Sequence, residues 1–267
     1  MFKQTTQIAL LNINGTIQGG SGSKSLLGGN EGADTLLTTL NNIASDPKIK
    51  GVILRINSPG GSAAASQEIY ELIEEVRAKG KYVIASLADV AASGGYMIAA
   101  ACDKIIASPS TITGSIGVIF ELPYYKEIAD SIGYQTRIFK AGKLKDIGNP
   151  FRDMTQEESD LLQGMVLGCH KEFIDLVAKG RKMDIEKVTE LADGRIFTGR
   201  QAYENGLVDE LGNINTVLRT IKEKLSISNI KIKEYKPRRS LISSLLNLGT
   251  IISQLKAQIL SPIIKLR

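Results

Sequence analysis

Lys50-Gly51-Val52-Ile53-Leu54-Arg55-Ile56 runs directly into Asn57-Ser58-Pro59-Gly60-Gly61-Ser62, and a helical stretch follows to about residue 79. An unalternating apolar run of this length reads as a strand buried on both faces. Strand, glycine-rich turn and helix, in that order, expose backbone N–H groups at the turn. Adjacent glycines permit positive φ and close approach of a ligand. Such a turn can cradle a phosphate, hold an oxyanion or simply reverse the chain. The layout recurs at Tyr82-Val83-Ile84-Ala85-Ser86-Leu87, which leads to Ala91-Ala92-Ser93-Gly94-Gly95-Tyr96-Met97-Ile98-Ala99. Here a serine stands between a strand and a short helix, with small residues on both sides. Free N–H groups and the helix dipole favour developing negative charge there. The stretch reads as a nucleophile elbow. A serine that merely caps the helix would look the same in these residues.

The rest of the chain extends this pattern. Ile8-Ala9-Leu10-Leu11-Asn12-Ile13 is a first strand, closed by Asn14-Gly15. Residues 19–32 form a Gly/Ser/Asn-rich surface loop without phosphate-loop spacing. Residues 33–44 carry a helical apolar stripe, which Asp46-Pro47 breaks. A fourth strand is expected at 103–107, and a turn at 113–118 leading into another short strand. Helices are expected at 124–132, from Thr155-Gln156-Glu157-Glu158 onward as a capping box, at 183–191 and at 199–205. An extended run is expected at 134–139, a basic loop at 140–146, and a strand or turn at 206–212. The order β-α-β-α-β-β with apolar strands predicts a mostly parallel sheet covered on both faces.

Composition narrows the chemistry. The chain has 267 residues and a net charge of +5. Residues 222–267 hold ten Lys/Arg and two Asp/Glu, which leaves −3 on the rest. A slightly acidic body argues against nucleic-acid binding. Cys102 and Cys169 are the only cysteines, too few for a disulfide framework or a four-thiolate metal site. No uncharged apolar run of about 18 residues is present, so no transmembrane helix is expected. Met1-Phe2-Lys3-Gln4-Thr5-Thr6 leads into a strand without the basic segment and apolar core of a signal peptide.

His170 is the single histidine, so any Ser-His-Asp triad must use it. It lies within a helical pattern of Met165, Leu167, Phe173, Ile174 and Val177, where a histidine is usually a packing residue. A serine nucleophile needs a base, and a neutral lysine is the alternative. Lys140, Lys143 and Lys145 share one loop, and spacing does not choose among them.

Several stretches together resemble the signal peptide peptidase A family, Ser-Lys serine peptidases of the ClpP/crotonase-type α/β fold with mostly parallel sheet layers flanked by helices. They are Asn57-Ser58-Pro59-Gly60-Gly61-Ser62, the Ser93 elbow, Ile112-Thr113-Gly114-Ser115-Ile116-Gly117-Val118, and Lys140-Ala141-Gly142-Lys143-Leu144-Lys145-Asp146. Phe151-Arg152-Asp153-Met154-Thr155 and Asp193-Gly194-Arg195-Ile196-Phe197-Thr198-Gly199 complete the set. They span residues 8–215 in the family's order, in its short single-copy form. The resemblance implies Ser93 as nucleophile, Lys145 as general base and Ser115 as the residue orienting it. It implies an oxyanion hole from the Gly60 amide with that of Ser93 or Gly94. A carboxylate facing the base would hold its proton, so the Asp146 side chain is expected to point away. The implied reaction is cleavage of remnant signal peptides, or other small membrane-associated peptides, through an acyl-enzyme in a homo-oligomer, with no metal or cofactor.

The family carries an N-terminal membrane anchor, and none is read here. A membrane-associated place in the bacterial envelope is expected, with a soluble cytoplasmic protein as the alternative. Residues 1–235 form the expected peptidase domain and 236–267 a basic, amphipathic helical tail. Lys231, Lys233, Lys236, Arg238 and Arg239, across the junction, precede apolar residues at 3–4 spacing, from Leu241 to Ile259. This suits an anionic membrane surface or a neighbouring subunit. A non-proteolytic scaffold and a crotonase-like acyl-CoA enzyme are the competing functions on the same fold.

Overall fold

Val52, Ile53, Leu54 and Ile56 are each fully buried, so their strand is covered on both faces. The computed structural model describes residues 6–20 and 32–235 and the backbone of 264–266. Its strands are β1 (Thr6–Asn14), β2 (Ile49–Ser58), β3 (Gly61–Ser62), β4 (Tyr82–Ala92), β5 (Lys104–Ala107), β6 (Ile112–Gly114), β7 (Ile119–Phe120), β8 (Ile196–Thr198), β9 (Glu210–Leu211), β10 (Ile230–Tyr235) and β11 (Ile264–Leu266). Its helices are α1 (Ala33–Ser45), α2 (Ala63–Ala78), α3 (Gly94–Ala100), α4 (Lys126–Ser131), α5 (Gln156–Arg181), α6 (Ile185–Leu191), α7 (Gly199–Glu204) and α8 (Ile214–Lys224).

The main sheet runs β10-β1-β2-β4-β5-β9, every pair parallel. The expected fold class holds. Side chains alternate across the sheet. Ile8, Ile53, Ile84 and Ile106 face Val217 and Ile221 of α8. Val52, Leu54, Val83 and Ala85 join the larger core with Leu40, Ile69, Ile73 and Phe173 from α1, α2 and α5. Strand β4 is long because it serves two neighbours. Residues 84–86 pair with β5, and Val90, Ala91 and Ala92 pair with β6.

Three expectations change. Residues 112–114 form strand β6 and not a turn, because Thr113 is fully buried and donates its Oγ1 hydrogen to the Ala91 carbonyl at 2.6 Å. Residues 134–139 stay outside the sheets, with Phe139 96% exposed. Lys231 and Lys233 belong to β10, the edge strand beside β1, where Lys233 pairs with Asp46 at 3.3 Å. Helix α8 and strand β10 were not among the sequence expectations. Residues 236–263, which hold most of the basic and amphipathic stretch, lie outside the described residues, as do 21–31 of the glycine-rich loop.

A close helix contact ties α5 to the site-bearing helix α3. A Cβ built on Gly180 would stand 2.2 Å from the Ala100 carbonyl oxygen, and Tyr70 of α2 holds the same stretch of α5 by donating to the Leu176 carbonyl at 3.0 Å. Gly180→Val therefore pushes α5 off the end of α3. The expected cost is about 1–3 kcal/mol, read as a lower urea midpoint at unchanged slope. An unchanged midpoint would mean that the two helices do not meet through this glycine.

Candidate active site

Ser93 leaves β4 with φ 53° and ψ −122°. That backbone is sparsely populated for a residue with a side chain, and costs of order 1–3 kcal/mol. Two main-chain bonds hold it. The Ser93 amide donates to the Gly114 carbonyl at 2.8 Å, and the Ser93 carbonyl accepts from the Met97 amide at 2.9 Å. The residue is fully buried, and its Oγ has no hydrogen-bond partner among the described residues. A capping serine behaves differently, with an extended backbone and its Oγ on an amide of the first turn. Ser62 does this at α2, with φ −61° and ψ 125°, its Oγ accepting from the Ala65 amide. Ser93 makes no side-chain cap on α3. The geometry separates elbow from cap.

The glycine turn packs against this elbow. A Cβ on Gly94 would lie 2.3 Å from Ser66 Oγ and 3.5 Å from Gly60 Cα, and one on Gly95 would lie 2.9 Å from the Ser58 carbonyl oxygen. The Gly95 approach to the Ser58 carbonyl requires glycine, whereas Gly94 is crowded by Ser66 of α2 and is in ordinary contact with Gly60. The turn is pinned from outside by Ile17, whose amide donates to the Gly60 carbonyl at 2.9 Å and whose carbonyl accepts from the Ser62 amide at 2.8 Å. The Gly60 amide donates to Ser58 Oγ at 3.1 Å.

Ser115 stands beside Ser93. Strands β4 and β6 run parallel with Ala92 opposite Gly114, so the next residue on each is a serine at the same level. Both serines turn left-handed, Ser115 with φ 52°. Ser115 is buried, and its amide donates to the Arg195 carbonyl at 2.8 Å.

Within the chain, Lys145 is not brought to Ser93. It lies exposed in the turn at 140–149, and no hydrogen bond reaches Ser93 Oγ. The loop does distinguish its three lysines. Lys140 pairs with Asp146 and also donates to the Lys143 carbonyl, and Lys143 pairs with Glu157. Among the described residues Lys145 forms no ion pair. Asp146 has both carboxylate oxygens engaged, Oδ2 by Arg152 Nε at 3.0 Å and Oδ1 by Lys140. Arg152 and then Lys140 hold its pKa down at about 2. His170 Nε2 is buried and has no partner, so it makes no bond to the serine. The sequence reading assigned no role to Arg152, although Arg152 lies in a quoted motif, and saw Glu158 only as a capping residue. Nothing local signals that these two meet.

The sequence profile described as peptidase family S49 matches residues 75–228. The chain belongs to peptidase family S49. The profile described as Clp protease matches residues 29–112, in keeping with the parallel sheet. A putative signal peptide peptidase SppA of Enterococcus faecium is 37% identical over 230 residues, 86% of this chain and 67% of that protein. The putative protease MJ0651 of Methanocaldococcus jannaschii is 39% identical over 199 residues, 74% of this chain and 64% of that one. The chloroplastic serine protease SPPA of Arabidopsis thaliana is 33% identical over 222 residues, 83% of this chain and 33% of that one. The chain thus spans about two thirds of the first two relatives and a third of the last. This S49 protein is a serine peptidase, and the scaffold and acyl-CoA alternatives fall away.

The Gly95 contact yields a test. In Gly95→Ala the new Cβ would stand 2.9 Å from the Ser58 carbonyl oxygen and force the elbow away from the Ser58–Gly60 turn, and kcat/KM for a peptide substrate should fall roughly 10²-fold with far-UV circular dichroism retained. Wild-type rates would mean that the spacing of elbow and turn is unimportant to the chemistry.

Proposed function

We propose that this S49 peptidase is an endopeptidase that cuts extended, apolar peptides such as remnant signal peptides. Ser93 is its nucleophile and Lys145 its base. The observation that carries the substrate class is strand β11. Its backbone lies between β3 and β7 and is antiparallel to both, with Leu266 opposite Gly61 and Lys265 opposite both Ser62 and Ile119. The groove next to Gly60 thus already pairs an extended chain through main-chain groups on both sides, as strand-addition sites do. A substrate takes the place of this segment.

The dyad closes between copies. Ser93 is buried with a partnerless Oγ, while Lys145 is exposed and unpaired among the described residues. Beside the Lys145 loop, Tyr125, Ile128 and Ile132 present an apolar face, with Ile132 73% exposed. A second copy of this chain covers that face and receives Lys145. Neutral Lys145 Nζ takes the Ser93 Oγ proton as Oγ attacks the scissile carbonyl. The oxyanion accepts from the Gly60 and Gly94 amides, Gly60 exchanging Ser58 Oγ for it. Lysine then gives its proton to the leaving amine. Water attacks the acyl-enzyme, its proton passes to lysine, and Ser93 regains a proton as the acid leaves. Ser115, level with Ser93, orients the incoming lysine.

Mixing inactive variants tests the arrangement. Ser93→Ala and Lys145→Ala should each be inactive alone, whereas their co-assembled mixture should recover a measurable fraction of wild-type activity. No recovery in verified mixed oligomers would place serine and lysine on one chain.

Residues 1–235 are the peptidase domain in this reading, and 236–267 a tail that holds the protein at an anionic membrane of the cell envelope. No helix among the described residues is long and apolar enough to cross a membrane. In flotation with anionic liposomes, the full chain should float and a chain ending at Tyr235 should not. Equal flotation of both would remove the membrane role of the tail.

A further inference from the structure

We propose that Arg152 is the positioning residue for Lys145: it clamps Asp146 to the first turn of α5, and so fixes the base in place and turns the neighbouring carboxylate away from it. The proposal rests on the reading of Lys145 as general base.

A guanidinium has five N–H donors in a rigid planar fork, and all five of Arg152 find acceptors. Nε donates to Asp146 Oδ2 at 3.0 Å. Nη2 donates to the Asp146 main-chain oxygen at 3.1 Å and to Glu158 Oε1 at 2.5 Å. Nη1 donates to Glu158 Oε2 at 2.8 Å and to the Asp153 main-chain oxygen at 2.9 Å. The residue after Lys145 is therefore held by side chain and main chain together. The other end of the clamp is firm. Glu158 is 2% exposed, and its Oε2 also accepts the Thr155 amide at 2.9 Å in the capping box of α5. Helix α5 is anchored in turn by the buried Phe173, Ile174 and Val177. Rigid contacts thus run from the core to the peptide unit beside Lys145.

The charges around the loop explain why such a clamp matters. Lys140, Lys143 and Asp146 lie on the loop itself, Arg152 and Asp153 follow it, and Glu157 and Glu158 face it from α5. Lys126 of α4 approaches through Asp153 at 3.3 Å. Lys143 is taken by Glu157, and Asp153 by Tyr124 and Lys126. Asp146 is the carboxylate adjoining Lys145 in the chain. Without Arg152 it keeps only Lys140, and a carboxylate free to swing beside an ammonium makes that ammonium hold its proton more tightly. Asp146 and Glu158 are both held at about 2, in each case first by Arg152. Neither carboxylate titrates in the range where a lysine base would govern the rate.

The test is the pH dependence of kcat and KM for a signal-peptide-like substrate, measured on the full chain. Wild-type kcat rises with pH as the base loses its proton. In Arg152→Met that rise should move up by about one pH unit, with KM within about twofold of wild type. Arg152→Lys keeps the charge but not the fork, and should lose roughly tenfold in kcat. Adding Asp146→Asn to Arg152→Met should return the rise to its wild-type position. Should Arg152→Met not fold, Arg152→Lys with and without Asp146→Asn decides the matter. An unmoved pH profile, a wild-type kcat in Arg152→Lys, or no return on adding Asp146→Asn would overturn the positioning role. Lys145→Ala distinguishes this from failure of the underlying reading. If Lys145→Ala is inactive while the Arg152 profiles stay put, only the clamp is wrong. If Lys145→Ala is fully active, the base itself is misassigned and the clamp falls with it.

Discussion

The hydrogen bond from the Ser93 amide to the Gly114 carbonyl is the constraint around which the site is built. It exists because β4 outruns β5 and takes β6 as a second partner over Val90, Ala91 and Ala92. The chain then turns left-handed at a residue with a side chain, at a cost the main-chain bonds to Gly114 and Met97 offset. With Oγ kept off the helix, the first amides of α3 have no side-chain cap. Strain, a bare helix start and, among the described residues, a partnerless hydroxyl occur at one residue, the kind of break in local rules that functional sites show.

Close approach supplies the second part. Gly95 lets the elbow meet the Ser58–Gly60 turn at a distance that leaves no room for a methyl group, and Gly94 does the same against Ser66 of α2. Ile17 fixes the far side of that turn, and the same segment supplies β3. The proposed oxyanion donor Gly60 and the strand edge β3 therefore come from one rigid piece of chain. An acyl-transfer site needs both: donors that do not reorganise during reaction, and a chain held so that its carbonyl meets the nucleophile.

The basic loop follows electrostatic rules of its own. Lys140 and Lys143 are tied to carboxylates, Asp146 is saturated, and Lys145 is left unpaired among the described residues. Isolated surface ion pairs contribute little to stability. A guanidinium with every donor used, paired with a carboxylate 2% exposed, is of another kind. Breaking one partner of such a cluster leaves a buried charge uncompensated. The loop is thereby specified in shape as well as in charge.

The sequence by itself determined the parallel α/β sheet, because continuous apolar runs such as 50–56 and 82–87 have no stable exposed arrangement. It determined the capping box at Thr155 and the helices of the body other than α8, whose signals lie within a few residues of one another. It also singled out the glycine turn, the Ser93 stretch and the lysine loop. Strand β6 and strand β10 were less legible, since short strands take their identity from partners such as β4 and β1. Only the tertiary structure decided that Ser93 does not cap α3, that Ser115 stands level with it, and that among the described residues Lys140 and Lys143 are occupied while Lys145 is not. It alone disclosed Arg152 gripping Asp146 and Glu158. The reason is physical. Periodicity and propensity act locally along the chain, whereas these features arise from strand register, from atoms approaching across distant segments, and from which charges burial forces together.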